Sequence, residues 1–215
     1  MTKKDTDQPV VLSKIYTRTG DDGTTALGDM SRTDKNDTRL VGYADTEEAN
    51  AAIGLALALG EIPDDVRTLL TRVQNELFDL GADLSTPVVD NPEFPPLRVL
   101  QEYVTGLEEA CDLYNAELPK LRSFILPGGS PTVALFHSAR TVVRRAERSV
   151  WAAIAEHGDS VNPLTASYLN RLSDLLFILA RAVGQDPGEV LWVPGKDREV
   201  TDPKAARGRS RITGE

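Results

Sequence analysis

Four arginines lie within nine residues of the segment ARTVVRRAERSVW, which spans residues 139–151 of an acidic chain. At the rotation of about 100° per residue of an α-helix, Arg140, Arg144, Glu147 and Trp151 share one face. A guanidinium group can donate two parallel hydrogen bonds to phosphate oxygens, and its charge neutralises the negative charge that develops on a departing polyphosphate. The pattern therefore indicates an anion site, while a solvated face of ion pairs three and four residues apart explains it equally well.

Polar residues also share one face of the segment 164–183, opposite a face of leucine, isoleucine and valine. The members of this stripe are Asn170, Ser173, Asp174, Phe177 and Arg181. A polar stripe is ordinary on a surface helix, but a large aromatic side chain within it is not. Phe177 therefore suggests that a ligand or a neighbouring subunit covers this face.

Two glycine-containing segments could bind an anion through backbone amides. TRTGDDGTT, residues 17–25, offers glycines, hydroxyl groups and Arg18. It is not a Walker A loop, because Asp29 follows Gly28 where that motif requires lysine. SFILPGGSP, residues 123–131, places a Gly-Gly turn before a helix N-terminus. The alternatives are a plain glycine-rich connection for the first segment and a plain turn with a helix cap for the second.

Composition excludes several classes of protein. His137 and His157 are the only histidines, so a histidine-rich zinc site is excluded and a Ser-His-Asp triad would need one of them. No Glu-x-x-His pair occurs, which argues against a ferritin-like bundle with two metal ions. The 33 acidic residues outnumber the 24 lysines and arginines, and the net charge of −9 disfavours nucleic-acid binding. Cys111 is the only cysteine, and no signal peptide or membrane span is recognised, so a cytoplasmic protein is expected.

The apolar periodicity predicts five helices and no confident strand, which indicates an all-α fold, a five-helix bundle. The expected helices cover about 45–59, 65–80, 97–116, 131–156 and 164–183. Their start and stop signals are a capping-box spacing at Asp45 and Glu48, the glycines Gly60 and Gly81, and Ser130 before Pro131. One domain is expected over residues 14–195, beginning with an ordered loop, between polar tails at 1–13 and 196–215. LWVPG, residues 191–195, is expected to be a short extended piece.

Four segments in this order, KIYTRTGDDGTT, SFILPGGS, ARTVVRRAER and YLNRLSDLLF, resemble the corrinoid adenosyltransferase family of the trimeric, propanediol-utilisation type. The resemblance covers about residues 14–183 and implies a five-helix bundle that assembles as a homotrimer. It also implies that ATP and a corrinoid bind between adjacent subunits. In the reaction so implied, cobalt of cob(I)alamin, formed by reduction of cob(II)alamin, attacks C5′ of ATP and expels triphosphate, while Mg²⁺ shares the charge of the leaving group.

The resemblance assigns roles to individual residues of this sequence. The expected catalytic residues are Arg144, Phe124 and Asn170, and no direct protein ligand of the metal is expected. Phe124 would exclude the lower axial ligand of cobalt, and Phe177 would form a second apolar wall of the corrinoid site. The expected ATP-binding residues are Thr17, Arg18, Thr19, Gly20, Asp21, Asp22, Gly23, Thr24, Thr25, Lys35, Arg144, Arg145, Glu147, Arg148 and Asn170.

The resemblance also implies an ion pair between subunits. Glu47 stands where the family often has an aspartate, Asp45 lies a half-turn earlier, and Arg140 matches the arginine partner. An adenosylcobalamin-dependent mutase client and a reductase are further expected partners. Two alternatives from other classes are a non-catalytic ATP-binding regulatory bundle and a purely structural trimeric bundle. The arginine stripe disfavours the structural bundle, and Phe124 disfavours a site for nucleotide alone.

Overall fold

Five helices make up most of the computed structural model, which describes residues 16, 18–92, 95–184 and 188–198. The helices are α1 (Thr38–Leu59), α2 (Asp64–Leu84), α3 (Gln101–Asn115), α4 (Pro131–His157) and α5 (Leu164–Val183). Two single turns of 3₁₀ helix cover Gly158–Ser160 and Gly195–Asp197. The prediction of an all-α five-helix bundle is confirmed.

The bundle is organised around α4, which packs against α1 on one side and α5 on the other. Small side chains line the contact with α1, where Gly42 lies against Val150 and the buried Ala49 and Ala146 add little bulk. Helices α2 and α3 complete the core against α1 and α5 respectively. The largest fully buried side chains include Tyr168, Phe136, Ile53, Leu70, Leu77 and Leu172. Among the described residues, none of the helices combines the length and apolarity needed to cross a membrane.

Three predicted helix boundaries are wrong. Helix α1 begins at Thr38, where the Asp37 carboxylate caps it by accepting the amide of Arg39 at 2.8 Å, so Asp45 is an interior residue and not a cap. Helix α2 continues through Gly81 to Leu84. Glycine at position 81 instead makes room for the ring of Tyr43, which would lie 3.0 Å from an added Cβ.

Helix α3 begins at Gln101 and not near residue 97. The chain just before it is held extended, since the amide of Val99 donates to Asp83 at 2.8 Å. The predicted cap of α4 is confirmed, because Ser130 accepts the amide of Val133 and Pro131 opens the helix. Helix α5 has the predicted bounds.

A buried carboxylate fastens the connections of the bundle. Asp83, near the end of α2, has no exposed side-chain surface and lies 2.6 Å from Nη1 of Arg98. Its second oxygen accepts the amide of Val99 at 2.8 Å and the side-chain amide of Asn162 at 2.7 Å. One charge therefore holds together the end of α2, the chain leading into α3 and the α4–α5 connection.

The region expected as a strand-free loop contains a short β-hairpin, which corrects that prediction. Its strands are β1 (Thr24–Ala26) and β2 (Arg32–Asp34), antiparallel with Thr25 opposite Thr33. At the turn, the amide of Gly28 donates to the carbonyl of Ser85 at 2.7 Å. The hairpin is thereby docked on the C-terminal end of α2.

Candidate active site

The N-terminal residues predicted to bind phosphate are gathered at the open end of the hairpin. Asp22 accepts both the amide and the hydroxyl of Thr24, at 3.0 and 2.8 Å, and these bonds lower the pKa of Asp22. Arg32 donates to the carbonyl of Thr19 at 2.8 Å and also bonds the hydroxyl of Thr24. Gly23 has a φ of 85°, a value that favours glycine.

Lys35 belongs to the same cluster. Its amide donates to the carbonyl of Gly23 at 2.9 Å, and its Nζ lies so near Gly20 that an added Cβ there would be 3.0 Å away. The guanidinium of Arg18 lies 5.6 Å from the centre of the Tyr16 ring. The structure thus brings the predicted members 18–25 and Lys35 together, while Thr17 lies outside the described residues.

The hairpin is tied to the far end of α4 by polar contacts that sequence reasoning missed. Thr33 donates to Asp37 at 2.7 Å, and the other oxygen of Asp37 lies 2.8 Å from Nε2 of His157. Arg39 is 3% exposed and donates to the carbonyl of Leu84 at 3.0 Å and to the hydroxyl of Ser160 at 2.7 Å. No local pattern in the sequence indicates this anchoring, because the burial of Arg39 results from contacts with distant residues, Leu84 and Ser160.

On α4 and α5, the predicted phosphate-binding residues form a second cluster. Asn170 donates to Glu147 at 3.1 Å, which fixes the two side chains beside each other. Arg144 and Arg148 are exposed, and neither has an ion pair within the described residues. Within the described residues, α4 therefore carries two exposed guanidinium groups without an ion pair, one helical turn apart and on either side of Glu147 in the sequence, and such groups suit a polyphosphate.

Arg145 faces a different direction from these arginines. It contacts Glu48 through Nη2, and its Nε lies 3.5 Å from Asp45, so both partners are on α1. The hydrogen bond to Glu48 is the main cause of the raised pKa of Arg145. The structure therefore joins Arg145 to α1 and does not bring it to the Arg144 cluster.

Arg140 is half-buried, and its Nε has no hydrogen-bond partner within the described structure. Burial, and then the charge of Arg144, lower the pKa of Arg140. Glu47 lies elsewhere, in a groove between α1 and α2 that is also lined by Tyr43 and Phe78. The chain by itself does not bring the predicted pair Glu47 and Arg140 together.

The side chain of Arg140 lines a groove of about 620 Å³ between α5 and the segment 115–121. Phe177 is half-buried in its wall, with its ring centre 6.1 Å from that of His137. The expected surface stripe of α5 is only partly exposed, because Ser173 and Arg181 are buried. Arg181 donates to Glu189 at 2.6 Å and to the carbonyl of Pro119 at 2.7 Å. It therefore holds the segment 115–121 and the segment around Glu189 against α5.

Phe177 also lines an adjoining groove of about 700 Å³, which has a strongly aromatic wall. The ring of Phe124 is 78% exposed there, and its centre lies 6.2 Å from that of Trp192 in an edge-to-face arrangement. Sequence reasoning missed Trp192, although a tryptophan in a predicted extended piece was a usable signal. Phe124 and Phe177, the predicted corrinoid walls, therefore line one groove.

An acidic helical bundle with unpaired arginines, a docked glycine-rich hairpin and a wide aromatic groove has the parts of a transferase that handles a polyphosphate and a large, flat co-substrate. Comparison with known families agrees with this class. The chain belongs to the cobalamin adenosyltransferase family, whose model matches residues 15–183. The resemblance recognised in the sequence is thereby confirmed.

Individual relatives are similar over nearly the whole chain. A corrinoid adenosyltransferase of Mycobacterium tuberculosis (strain ATCC 25618 / H37Rv) is 64% identical over 192 residues, covering 89% of this chain and 99% of that protein. A cobalamin adenosyltransferase of Cupriavidus metallidurans is 48% identical, covering 84% and 95%. A solved phenylalanine-to-alanine variant of a PduO-type ATP:corrinoid adenosyltransferase from Lactobacillus reuteri, complexed with cobalamin and ATP, is 33% identical. It has a TM-score of 0.77 and matches 84% of this chain and 100% of that chain.

Proposed function

We propose that this chain is an ATP:corrinoid adenosyltransferase that transfers the 5′-deoxyadenosyl group of ATP to the cobalt of cob(I)alamin. The observation that carries the proposal is the combination of exposed arginines on α4 that have no ion pair within the described residues and an aromatic groove whose wall includes Phe177 of the adjacent helix α5. A nucleotide site alone has no use for the groove walled by Phe124 and Phe177. The exposed guanidinium groups of Arg144 and Arg148, which have no ion pair within the described residues, disfavour a purely structural bundle.

The transfer is a displacement at carbon. An electron pair of cobalt(I) forms the cobalt–carbon bond to C5′, the C5′–oxygen bond breaks, and its electrons leave with triphosphate. Arg144 and Arg148 would bind phosphate oxygens and stabilise the charge that grows on this leaving group. Mg²⁺ would enter bound to the phosphates and share that charge. Asn170, held by Glu147 at 3.1 Å, would orient the nucleotide beside the arginines.

The aromatic groove would prepare the cobalt. Cobalt(II) with a lower axial ligand is hard to reduce to cobalt(I). An apolar side chain that takes the place of that ligand makes the reduction easier. Phe124 is the candidate, because its ring projects into the groove with 78% of its surface exposed. Phe177 would form a second part of the wall.

Assembly as a homotrimer with sites between subunits belongs to this proposal. Arg144 precedes His157, where the hairpin is anchored, by thirteen residues or about 20 Å along α4. A hairpin from a neighbouring copy could complete the phosphate site across that distance. The free Nε of Arg140, and the groove of Glu47 beside a 74% exposed Phe78, support a contact between copies. Sedimentation equilibrium would give three times the chain mass.

Further partners and the location of the protein remain predictions. A reductase that supplies the electron and a mutase that receives adenosylcobalamin are implied by the chemistry of substrate and product. A cytoplasmic location is predicted from the single cysteine, Cys111, which is buried and unpaired.

An anaerobic assay tests the activity. Purified protein is mixed with Mg-ATP, a strong reductant and cob(II)alamin, and light-sensitive adenosylcobalamin is followed by its absorbance. Wild type should form product, and Arg144→Ala and Asn170→Ala should each lose about 100-fold or more in kcat/KM, as for loss of a transition-state donor. Arg67→Ala removes an exposed arginine of α2, bonded to the carbonyl of Leu57, and should retain activity. Folded wild type that binds ATP without forming product would refute the enzyme and favour the regulatory bundle.

A further inference from the structure

Phe124 and Trp192 are directly opposite each other in a short antiparallel pairing outside the helices. Ile125 and Leu191 form the bridge between the two segments. The amide of Trp192 donates to the carbonyl of Phe124 at 2.7 Å, and that of Leu126 donates to the carbonyl of Val190 at 2.8 Å. The hydroxyl of Ser123 donates to the carbonyl of Trp192 at 2.8 Å. Sixty-eight residues apart in sequence, the two aromatic residues are therefore in fixed register.

The contact between the two rings matters because Phe124 has few other restraints. Its side chain is 78% exposed and lies in a non-helical segment, so helix packing does not orient it. Within the described residues, Trp192 supplies the only aromatic ring against it, with centres 6.2 Å apart and planes at 70°. Edge-to-face geometry is a favoured arrangement of two aromatic rings, and opposite residues of antiparallel strands are the pairs that interact most directly.

We propose that Trp192 is a positioning residue for the transfer reaction, which holds the Phe124 ring in the groove where the lower face of the corrinoid would lie. The inference rests on the proposed function and goes beyond it, since it assigns a role to a residue outside the four recognised segments. Trp192 is 42% exposed, and both it and Pro194 line the groove with Phe124. Because Trp192 already holds the Phe124 ring in one orientation, the ring does not have to become ordered when the corrinoid binds. The entropic cost of ordering it is therefore not subtracted from the binding free energy.

The backbone pairing allows the ring to be tested separately from the segment. Its hydrogen bonds involve main-chain groups and Ser123, so they survive a change of the Trp192 side chain. Val193 is the matched control, because it is 45% exposed, sits in the same segment and does not line the groove. Successive side chains of an extended segment point to opposite sides.

The experiment compares Trp192→Leu, Trp192→Phe and Val193→Ala with wild type, each saturated with Mg-ATP and loaded with cob(II)alamin. Electron paramagnetic resonance measures the fraction of cobalt(II) that has lost its lower ligand, and the anaerobic assay gives kcat and KM. Trp192→Leu should lower the ratio of four-coordinate cobalt(II), which has lost its lower ligand, to five-coordinate cobalt(II) by about two- to tenfold. It should lower kcat by a similar factor, which corresponds to the free energy of about one aromatic pair. Trp192→Phe should fall between this variant and wild type, and Val193→Ala should match wild type. The dissociation constant for ATP should not change in any of them.

A double-mutant cycle decides whether Trp192 acts through Phe124. In the Phe124→Ala background, adding Trp192→Leu should cause no further loss of four-coordinate cobalt or of kcat. An equal loss in both backgrounds would overturn the positioning role. So would an active wild type whose four-coordinate fraction is unchanged by Trp192→Leu. A wild type that forms neither four-coordinate cobalt nor adenosylcobalamin would overturn the proposed function itself, and this inference with it.

Discussion

Replacing Gly28 by alanine should loosen the hairpin that we propose to bind ATP, while leaving the helical bundle folded. Gly28 is at the turn of the hairpin, where its amide donates to the carbonyl of Ser85 at 2.7 Å. An added Cβ would lie 2.1 Å from Oγ1 and 3.2 Å from Cβ of Thr86. Real Cβ atoms do not tolerate the first of these distances, so the hydroxyl or the whole turn must move.

The cost follows from the contacts of Thr86. Rotating its hydroxyl away gives up the hydrogen bond to the carbonyl of Ala82, which measures 3.0 Å, at about 0.5–1.5 kcal/mol. The tight approach of the two Cβ atoms would remain, and overpacking of this kind costs about 1–3 kcal/mol. Together these costs should weaken hairpin docking by about 1.5–4.5 kcal/mol, or about 10- to 2,000-fold. The apparent dissociation constant of Mg-ATP should rise by at most that factor, because under the proposed function only the docked hairpin binds ATP.

Isothermal titration with Mg-ATP measures this effect, and urea unfolding measures the bundle separately. Thr86→Ala removes the obstructing hydroxyl, so Gly28→Ala/Thr86→Ala should bind ATP more tightly than Gly28→Ala alone. Thr86→Ala by itself is the control for loss of the bond to Ala82. Wild-type affinity in Gly28→Ala would refute the docking argument, and so would a double variant as weak as the single one.

Two further predictions concern stability. Arg98→Ala strands the buried Asp83 carboxylate and should lower the free energy of unfolding by about 3–5 kcal/mol in urea, and a loss below about 1 kcal/mol would contradict its pairing. Burial alone would raise the pKa of Asp37, but hydrogen bonds, beginning with that from Thr33 and including His157, lower it below its ordinary value. Its stabilisation is therefore complete above the ordinary aspartate pKa, about 3.9, and is lost as pH falls through the lowered value. In wild type the urea concentration at the midpoint of unfolding should therefore fall as the pH is lowered through this range, and Asp37→Asn should make that fall smaller. An unchanged fall in Asp37→Asn would show that another group causes the pH dependence.

The helices were predictable wherever local pattern and packing agree. Helix α5 has the predicted bounds, because its apolar face repeats every three to four residues and is buried. The first two turns of α1 escaped prediction, since its N-cap, Asp37, is only one of several acidic residues in a segment without apolar period. Gly81 was wrongly expected to end α2, because its small size serves the approach of Tyr43 from another helix.

The amino-acid sequence alone shows the kinds of chemistry present: clustered arginines, a glycine-rich loop and aromatic residues in polar surroundings, in an order that identifies a family. Those properties follow from residue type and local spacing. Which charges are neutralised depends on the tertiary structure, which joins Arg145 to α1 and, within the described residues, leaves Arg144 without an ion pair. It also buried Arg39 and placed Trp192 against Phe124. These outcomes depend on contacts between residues that are far apart in the sequence. Helical periodicity predicts which face of a helix a residue is on, but not which distant side chain will pack against that face.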